Sequence, residues 1–260
     1  MATESPLSMA KLTSDRMVSD PSGLLTCFAT LRAARTAFSG DKLSDMRKLL
    51  TLSLCLFAVA AKAAGAPTVL VFGDSLSAGF GIDVDQSWTA LLQTRLDAQG
   101  YEHRVINASI SGETTEGGKT RISSALDNFS PDLVILELGG NDGLRGFPPD
   151  VMKGNLREII ETTRSAGASV VLLGIRIPTN YGPRYTAAFE NVYRELAEEL
   201  DVLWIEFFMD GIALNESLMQ DDGIHPNAEA QPILLDNAWP IIREALDDHT
   251  AEAPAASAGL

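Results

Sequence analysis

Residues 68–79 read TVLVFGDSLSAG and join a short apolar run to a Gly-Asp-Ser turn. The run over residues 68–72 is rich in β-branched and aromatic residues and does not alternate, which is typical of a strand covered on both faces. Glycine, aspartate and serine then break the pattern from Gly73 onward. We therefore predict a buried parallel strand that ends at this turn, with Ser75 at the start of the next helix.

Further runs of the same kind alternate with helical patterns along the chain. The four additional predicted strands are residues 104–106, 133–138, 169–173 and 202–205. The clearest helix covers residues 185–200, because its apolar residues recur at the spacing of one helix face. A closing helix is predicted over residues 228–247, with Pro240 bending it. Strand–helix alternation predicts an α/β domain with a doubly wound parallel sheet, which binds ligands beyond the carboxyl ends of its strands.

Composition limits the classes of function. The 260 residues are 45% hydrophobic and 21% charged, which suits a globular protein with a sizeable core. The net charge of −15 argues against a nucleic-acid partner, because phosphates require a basic face. Two cysteines, Cys27 and Cys55, cannot form a zinc site or a disulfide framework. No apolar run reaches the ~18–20 residues that cross a bilayer, so we expect no stable membrane anchor.

The N-terminal region has the pattern of an export signal. A basic start at residues 46–48 precedes the run LLTLSLCLFAVAA over residues 49–61, and Ala-Lys-Ala at 61–63 forms a small-x-small cleavage site. We interpret residues 46–63 as the signal peptide of a periplasmic or secreted protein, and we expect translation to begin at Met46. We interpret residues 1–45 as a start-site artefact or a disordered extension. Residues 64–248 form one folded domain, and residues 249–260 a disordered tail.

Chemically useful residues follow four of the predicted strands. Ser75 begins a helix, where the helix dipole favours developing negative charge, and Gly112 can expose its backbone N–H without a blocking side chain. Asn141 can offer an amide donor. Asp222 lies three residues before His225, a spacing that lets a carboxylate orient the imidazole. Each residue alone has a plainer explanation as a cap, a turn residue or a solvated histidine, but together they supply a nucleophile, a base, an orienting acid and oxyanion donors at one sheet edge.

Four sequence blocks resemble those of the SGNH, or GDSL, hydrolase family. They are GDSLS at 73–77, Gly112, GND at 140–142 and DGIH at 222–225, and the similarity runs through most of residues 68–247. The resemblance implies a flavodoxin-like three-layer α/β/α sandwich with a five-stranded parallel sheet of order 2-1-3-4-5. It also implies a serine esterase or thioesterase that uses no metal and no cofactor.

The resemblance further implies a role for each matching residue. Ser75 corresponds to the nucleophile, His225 to the general base and Asp222 to the acid that orients the imidazole. The oxyanion hole would consist of the backbone N–H groups of Ser75 and Gly112 with the side-chain amide of Asn141. Hydrolysis would then proceed through an acyl-enzyme on the serine.

Loops at the same edge are largely apolar, which predicts a groove for an acyl chain. The predicted substrate-binding residues, each of which could instead only pack its loop, are Leu76, Gly143, Leu144, Ile177, Pro178 and Tyr181. Three nearby arginines could bind a phosphate headgroup or form surface salt bridges: Arg145, Arg176 and Arg184. We expect a monomer that hydrolyses simple and aryl esters, lysophospholipids and acyl thioesters. Carbohydrate O-acetylesterase activity and a non-catalytic flavodoxin-like binding module are the alternatives.

Overall fold

The computed structural model describes residues 66–252. The predicted extension at 1–45 and signal peptide at 46–63 lie outside the described residues, as does most of the predicted tail at 249–260. The last helix is described as far as Glu252, beyond the boundary predicted at residue 248. Within residues 66–252, no helix combines the length and the hydropathy needed to span a bilayer.

Five parallel strands form one sheet in the order β2-β1-β3-β4-β5, so the predicted strand order and fold class are confirmed. The two central strands β1 and β3 are buried along their whole length, which explains their continuous apolar sequences. The edge strands β2 and β5 are partly exposed, and their sequence patterns are correspondingly weaker. The strands are Thr68–Gly73 (β1), Arg104–Asn107 (β2), Leu133–Glu137 (β3), Ser169–Leu173 (β4) and Leu203–Ile205 (β5).

Helices cover both faces of the sheet. Along β1, Val69 and Val71 pack in one hydrophobic cluster, whereas Leu70 and Phe72 pack in the other, because successive side chains of a strand point to opposite faces. This division produces the three layers. The α-helices in the described part of the chain are Ser75–Ala78 (α1), Trp88–Gln99 (α2), Thr115–Phe129 (α3), Gly140–Leu144 (α4), Pro149–Ser165 (α5), Pro183–Leu200 (α6) and Gln231–Glu252 (α7).

The closing helix begins later than its sequence pattern predicts. Residues Ala228–Ala230 form a separate 3₁₀ turn, and α7 starts at Gln231. The Asn227 side chain accepts hydrogen bonds from the backbone N–H groups of Glu229 and Ala230, which fixes the short turn ahead of the α-helix. Pro240 lies inside α7, as predicted.

Candidate active site

The turn after β1 places Ser75 at the edge of the sheet that is formed by the carboxyl ends of the strands. Asp74 caps the short helix α1, because its Oδ1 accepts a hydrogen bond of 3.0 Å from the backbone N–H of Leu76. Gly79 ends the helix with φ of 74°, a left-handed conformation that glycine adopts without a Cβ penalty. Ser75 is the first residue of α1 and is half-buried, so its side chain is partly accessible to solvent.

A second loop, after β5, brings an imidazole to this serine. The Nε2 atom of His225 lies 2.9 Å from Ser75 Oγ, although the two residues are 150 positions apart in sequence. The other ring nitrogen, Nδ1, lies 2.6 Å from Asp222 Oδ2. With Nδ1 donating to the carboxylate, Nε2 is left as the acceptor for the serine hydroxyl proton.

Asp222 is fixed by its own loop. Its Oδ1 accepts hydrogen bonds from the backbone N–H groups of Ile224 at 2.9 Å and His225 at 3.0 Å. The backbone and ring hydrogen bonds from His225, together with that of Ile224, lower the pKa of Asp222 to about 2. The carboxylate therefore stays charged throughout the neutral range and holds the imidazole in one tautomer.

Phe80 is a site residue that the sequence analysis missed. Its ring packs against the His225 imidazole with ring centroids 4.5 Å apart and an interplanar angle of 39°. Gln220 ties the two loops together, because its Nε2 donates to the carbonyl oxygens of Phe80 at 2.7 Å and Pro226 at 3.0 Å. An exposed aromatic after a Gly-Asp-Ser turn carries no sequence pattern that predicts a ring contact with a histidine so far along the chain.

Replacing Phe80 by alanine is expected to lower kcat about 2–10-fold, because an aromatic contact of this kind stabilises a ring position by about 0.5–1.5 kcal/mol. Steady-state ester hydrolysis measures the change. Phe129→Ala is the matched control, since Phe129 is also exposed but ends α3 at the opposite edge of the sheet. Equal kcat values for the Phe80 variant and the wild type would show that the ring does not restrain the imidazole.

The predicted oxyanion residues also reach this edge. Asn141 lies in the first turn of α4, directly after β3, and its Nδ2 donates a hydrogen bond of 3.1 Å to Asp74 Oδ2. Gly112 follows β2 with φ of 81°, a conformation that L side chains rarely adopt, and no atom beyond its two chain neighbours lies within 4 Å of a Cβ built there. Its carbonyl oxygen accepts a hydrogen bond from Arg145 at 3.2 Å. Their roles as oxyanion donors remain predictions.

A buried pair of acids lies beneath the serine turn. Asp74 and Glu137 are 2% and 0% exposed, and Glu137 Oε2 accepts hydrogen bonds from the Ser77 hydroxyl at 2.7 Å and the Asp74 backbone N–H at 3.4 Å. Burial and the nearby Asp74 raise the pKa of Glu137 well above its usual range. Gly73 leaves room for this carboxyl, because a Cβ at that position would lie 2.7 Å from Oε2. In the sequence, Glu137 is only a single glutamate within the apolar run at 133–138, and nothing there indicates that it pairs with Asp74.

The predicted groove residues divide between the two faces of the sheet. Leu76 packs in the hydrophobic cluster that includes α2 and α7, whereas Ile177 packs in the cluster beneath α5 and α6. Gly143 lies against Ile177, since a Cβ on this glycine would be 2.6 Å from Ile177 Cγ2. The side chains of Leu76 and Ile177 are largely buried, so both residues pack in the core. Substrate binding by these residues stays a prediction.

Of the other three groove residues, Leu144 ends α4, and Pro178 and Tyr181 lie in the segment between β4 and α6. The Tyr181 hydroxyl donates a hydrogen bond of 2.7 Å to the carbonyl oxygen of Leu144, which joins this segment to α4. Pro178 is exposed, and Tyr181 is 36% exposed. Arg176 pairs with Glu206 and with Glu190, so the salt-bridge alternative holds for this arginine.

The fold and the matched sequence define the class of protein. Residues 71–232 match the GDSL-like lipase/acylhydrolase family, and the chain belongs to that family. The prediction of a hydrolase that acts on acyl bonds is thereby confirmed.

Named relatives refine this assignment. The chain is 47% identical over 201 residues to Esterase TesA of Pseudomonas aeruginosa, which covers 77% of this chain and 100% of the relative. It is 46% identical over 175 residues to Thioesterase 1/protease 1/lysophospholipase L1 of Escherichia coli strain K12, covering 67% of this chain and 83% of the relative. A crystal structure of the psychrotrophic esterase EstA from Pseudoalteromonas sp., inhibited by monoethylphosphonate, superposes with a TM-score of 0.67 at 41% identity, covering 69% and 98% of the two chains.

Proposed function

We propose that this protein is a serine esterase and thioesterase that hydrolyses acyl esters through an acyl-enzyme on Ser75. The proposal rests on two hydrogen bonds that share the His225 ring: Ser75 Oγ lies 2.9 Å from Nε2, and Asp222 Oδ2 lies 2.6 Å from Nδ1. The relatives named as an esterase, an arylesterase and a thioesterase/lysophospholipase support the same chemistry.

The mechanism follows from these distances. His225 Nε2 takes the hydroxyl proton as Ser75 Oγ bonds to the acyl carbon, and Asp222 stabilises the imidazolium that forms. The negative charge on the former carbonyl oxygen is met by the N–H groups of Ser75 and Gly112 and by the Asn141 amide. The intermediate collapses when the bond to the alcohol or thiol breaks and His225 protonates the leaving group. Water then attacks the acyl-enzyme by the same steps.

Exposed apolar side chains support a substrate with a hydrocarbon chain. Of the nine large apolar side chains that are exposed among the described residues, eight lie between a strand end and the first turn of the next long helix, at the same edge as Ser75. Phe129 alone lies at the opposite edge. Exposed apolar side chains in the loops that follow the strands are available to contact a hydrocarbon chain bound near Ser75. The eight are Phe80, Val84, Ile110, Phe147, Val151, Tyr181, Leu214 and Ile224.

Charge and location narrow the natural substrate. The net charge of −15 does not steer an anionic thioester such as acyl-CoA toward the site. We propose that residues 46–63 direct export and that the enzyme works as a monomer in the periplasm or outside the cell, where intracellular acyl-CoA is absent. Simple esters and lysophospholipids are then the natural substrates, and thioester hydrolysis is a capacity of the same site. Mass spectrometry of exported protein tests the cleavage, which we expect after Ala63.

A chain-length series tests the function. We expect kcat/KM for p-nitrophenyl esters to rise from acetate toward medium-chain esters, with measurable hydrolysis of a lysophospholipid and of palmitoyl-CoA in parallel assays. Activity confined to acetate would instead indicate an O-acetylesterase. Absence of turnover with every substrate would support the non-catalytic binding module and contradict the proposal.

A further inference from the structure

We infer that Asp74 is the positioning residue for Asn141: its carboxylate fixes the direction of the amide that serves the oxyanion. This inference rests on the proposed function, in which Asn141 is an oxyanion donor. Asp74 Oδ2 accepts the hydrogen bond from Asn141 Nδ2 at 3.1 Å, while Oδ1 is occupied by the Leu76 N–H at 3.0 Å. The carboxylate is thus held at both oxygens, between the turn that carries the nucleophile and the turn that carries the amide.

Helix capping alone does not account for this residue. A cap needs one acceptor oxygen, and a serine or asparagine caps a helix about as well as an aspartate does. Asp74 is instead 2% exposed and adjoins a second buried carboxyl, that of Glu137, whose Oε1 has no hydrogen-bond partner among the described residues. Burying a carboxylate in such surroundings lowers stability, so the charge calls for a function beyond the cap.

A carboxylate has a property that the neutral caps lack. It only accepts hydrogen bonds, whereas an asparagine side chain also donates them. The Asn141 side chain must therefore turn its NH₂ group, and not its oxygen, toward Asp74. One N–H is bound to the carboxylate at 3.1 Å, and the second N–H on the same nitrogen is left to face the reacting carbonyl oxygen.

The ionisation of Asp74 agrees with this role and sets the assay pH. Burial raises the pKa of Asp74 to about 6, although the hydrogen bonds from Leu76 and Asn141 and the charge of His225 act in the opposite direction. The other groups that face it, Glu137 on β3, Asp142 on α4 and Tyr193 on α6, are acids. At pH 8 the carboxylate is charged and accepts the amide; below about pH 6 it is protonated and becomes a donor.

The sign of the stability effect follows from the same shift. The pKa of Asp74 in the folded protein is above the 3.8 of a free aspartate side chain, so the folded state holds the proton more tightly than the unfolded state does. The buried charge therefore lowers stability at pH values above about 6, and this effect disappears as the pH falls toward 4. Asp74→Asn removes the charge, keeps the shape and retains an oxygen for the Leu76 N–H.

The test is a double-mutant cycle on ester hydrolysis at pH 8. Asn141→Ala is expected to lower kcat by about 10²–10³-fold with a smaller change in KM, as loss of one oxyanion donor does. Asp74→Asn presents an N–H donor to Asn141, so the Asn141 amide flips to point its oxygen at residue 74. We therefore expect kcat to fall by a similar factor. The double variant should fall no more than about threefold below Asn141→Ala, because both changes remove the same interaction. Asp132→Asn is the control, since Asp132 binds the Thr68 N–H at 2.6 Å at the opposite edge.

Unfolding measurements separate positioning from a structural role. We expect the Tm of Asp74→Asn at pH 8 to equal or exceed that of the wild type, and its dependence on pH between 4 and 6 to be flatter. Multiplicative losses in the double variant, or a Tm that falls by several degrees along with kcat, would overturn the inference. A large loss of kcat in Asn141→Ala together with wild-type kcat in Asp74→Asn would overturn the positioning role of Asp74 and leave the proposed function intact. An Asn141→Ala enzyme as active as the wild type would instead remove the oxyanion role from the proposed function.

Discussion

Replacing Ser75 by alanine is expected to lower kcat by about 10⁴-fold or more, because the acyl-enzyme can no longer form. The hydroxyl lies 2.9 Å from His225 Nε2, whereas the other hydroxyl of α1, that of Ser77, is buried and donates to Glu137 Oε2 at 2.7 Å. The fold should survive, since Ser75 is half-buried at the surface end of a four-residue helix and the cap of that helix comes from Asp74. Kinetics with a p-nitrophenyl ester measures the loss, and thermal unfolding checks the fold.

A second serine supplies the control for this variant. Ser123 is exposed on α3, so Ser123→Ala makes the same chemical change away from the site and should leave kcat unchanged. If the Ser75 variant kept more than about a tenth of the wild-type kcat while Ser123→Ala behaved normally, a nucleophile at position 75 would be ruled out.

Replacing Asp222 by asparagine is expected to lower kcat by about 10⁴-fold, because it reverses the tautomer of His225. The asparagine oxygen would accept the backbone N–H groups of Ile224 and His225, which now bind Oδ1, and its NH₂ group would then face Nδ1. A ring that accepts at Nδ1 carries its proton on Nε2, and it cannot take the proton of Ser75. The loss should be mainly in kcat.

Asp221→Asn is the matched control, because Asp221 is the neighbouring exposed aspartate and makes the same change of charge. We expect it to keep wild-type kcat. Wild-type activity in both asparagine variants would mean that the 2.6 Å contact between Asp222 and His225 has no part in turnover. Similar losses in both would trace the effect to the loop's net charge.

Much of the fold could be predicted from strand sequences, and the exceptions have physical causes. The buried strands β1 and β3 gave unbroken apolar runs, and the partly exposed strands β2 and β5 gave weaker ones. The start of α7 was predicted three residues early, because the capping of residues Ala228–Ala230 by Asn227 depends on side-chain geometry, which the apolar pattern does not report.

The site was predictable where a residue type and its place after a strand coincided, as for Ser75 and His225. It was not predictable where a role depends on a contact through space. Phe80 has meaning only against the imidazole, and Glu137 only against Asp74, which lies 63 residues earlier. Neither pairing leaves a spacing in the sequence, so both emerge only when the strands are assembled.

Covalent labelling with a fluorophosphonate, followed by mass spectrometry of the tryptic peptides, tests most directly whether Ser75 is an activated nucleophile. This reagent phosphonylates a serine that an adjacent base activates, and a phosphonate-inhibited structure exists for the related esterase EstA. We expect one adduct per chain, on Ser75; it should be absent from the Ser75→Ala variant and form much more slowly in Asp222→Asn. An unlabelled wild-type protein, or an adduct that persists at another residue after Ser75→Ala, would contradict it.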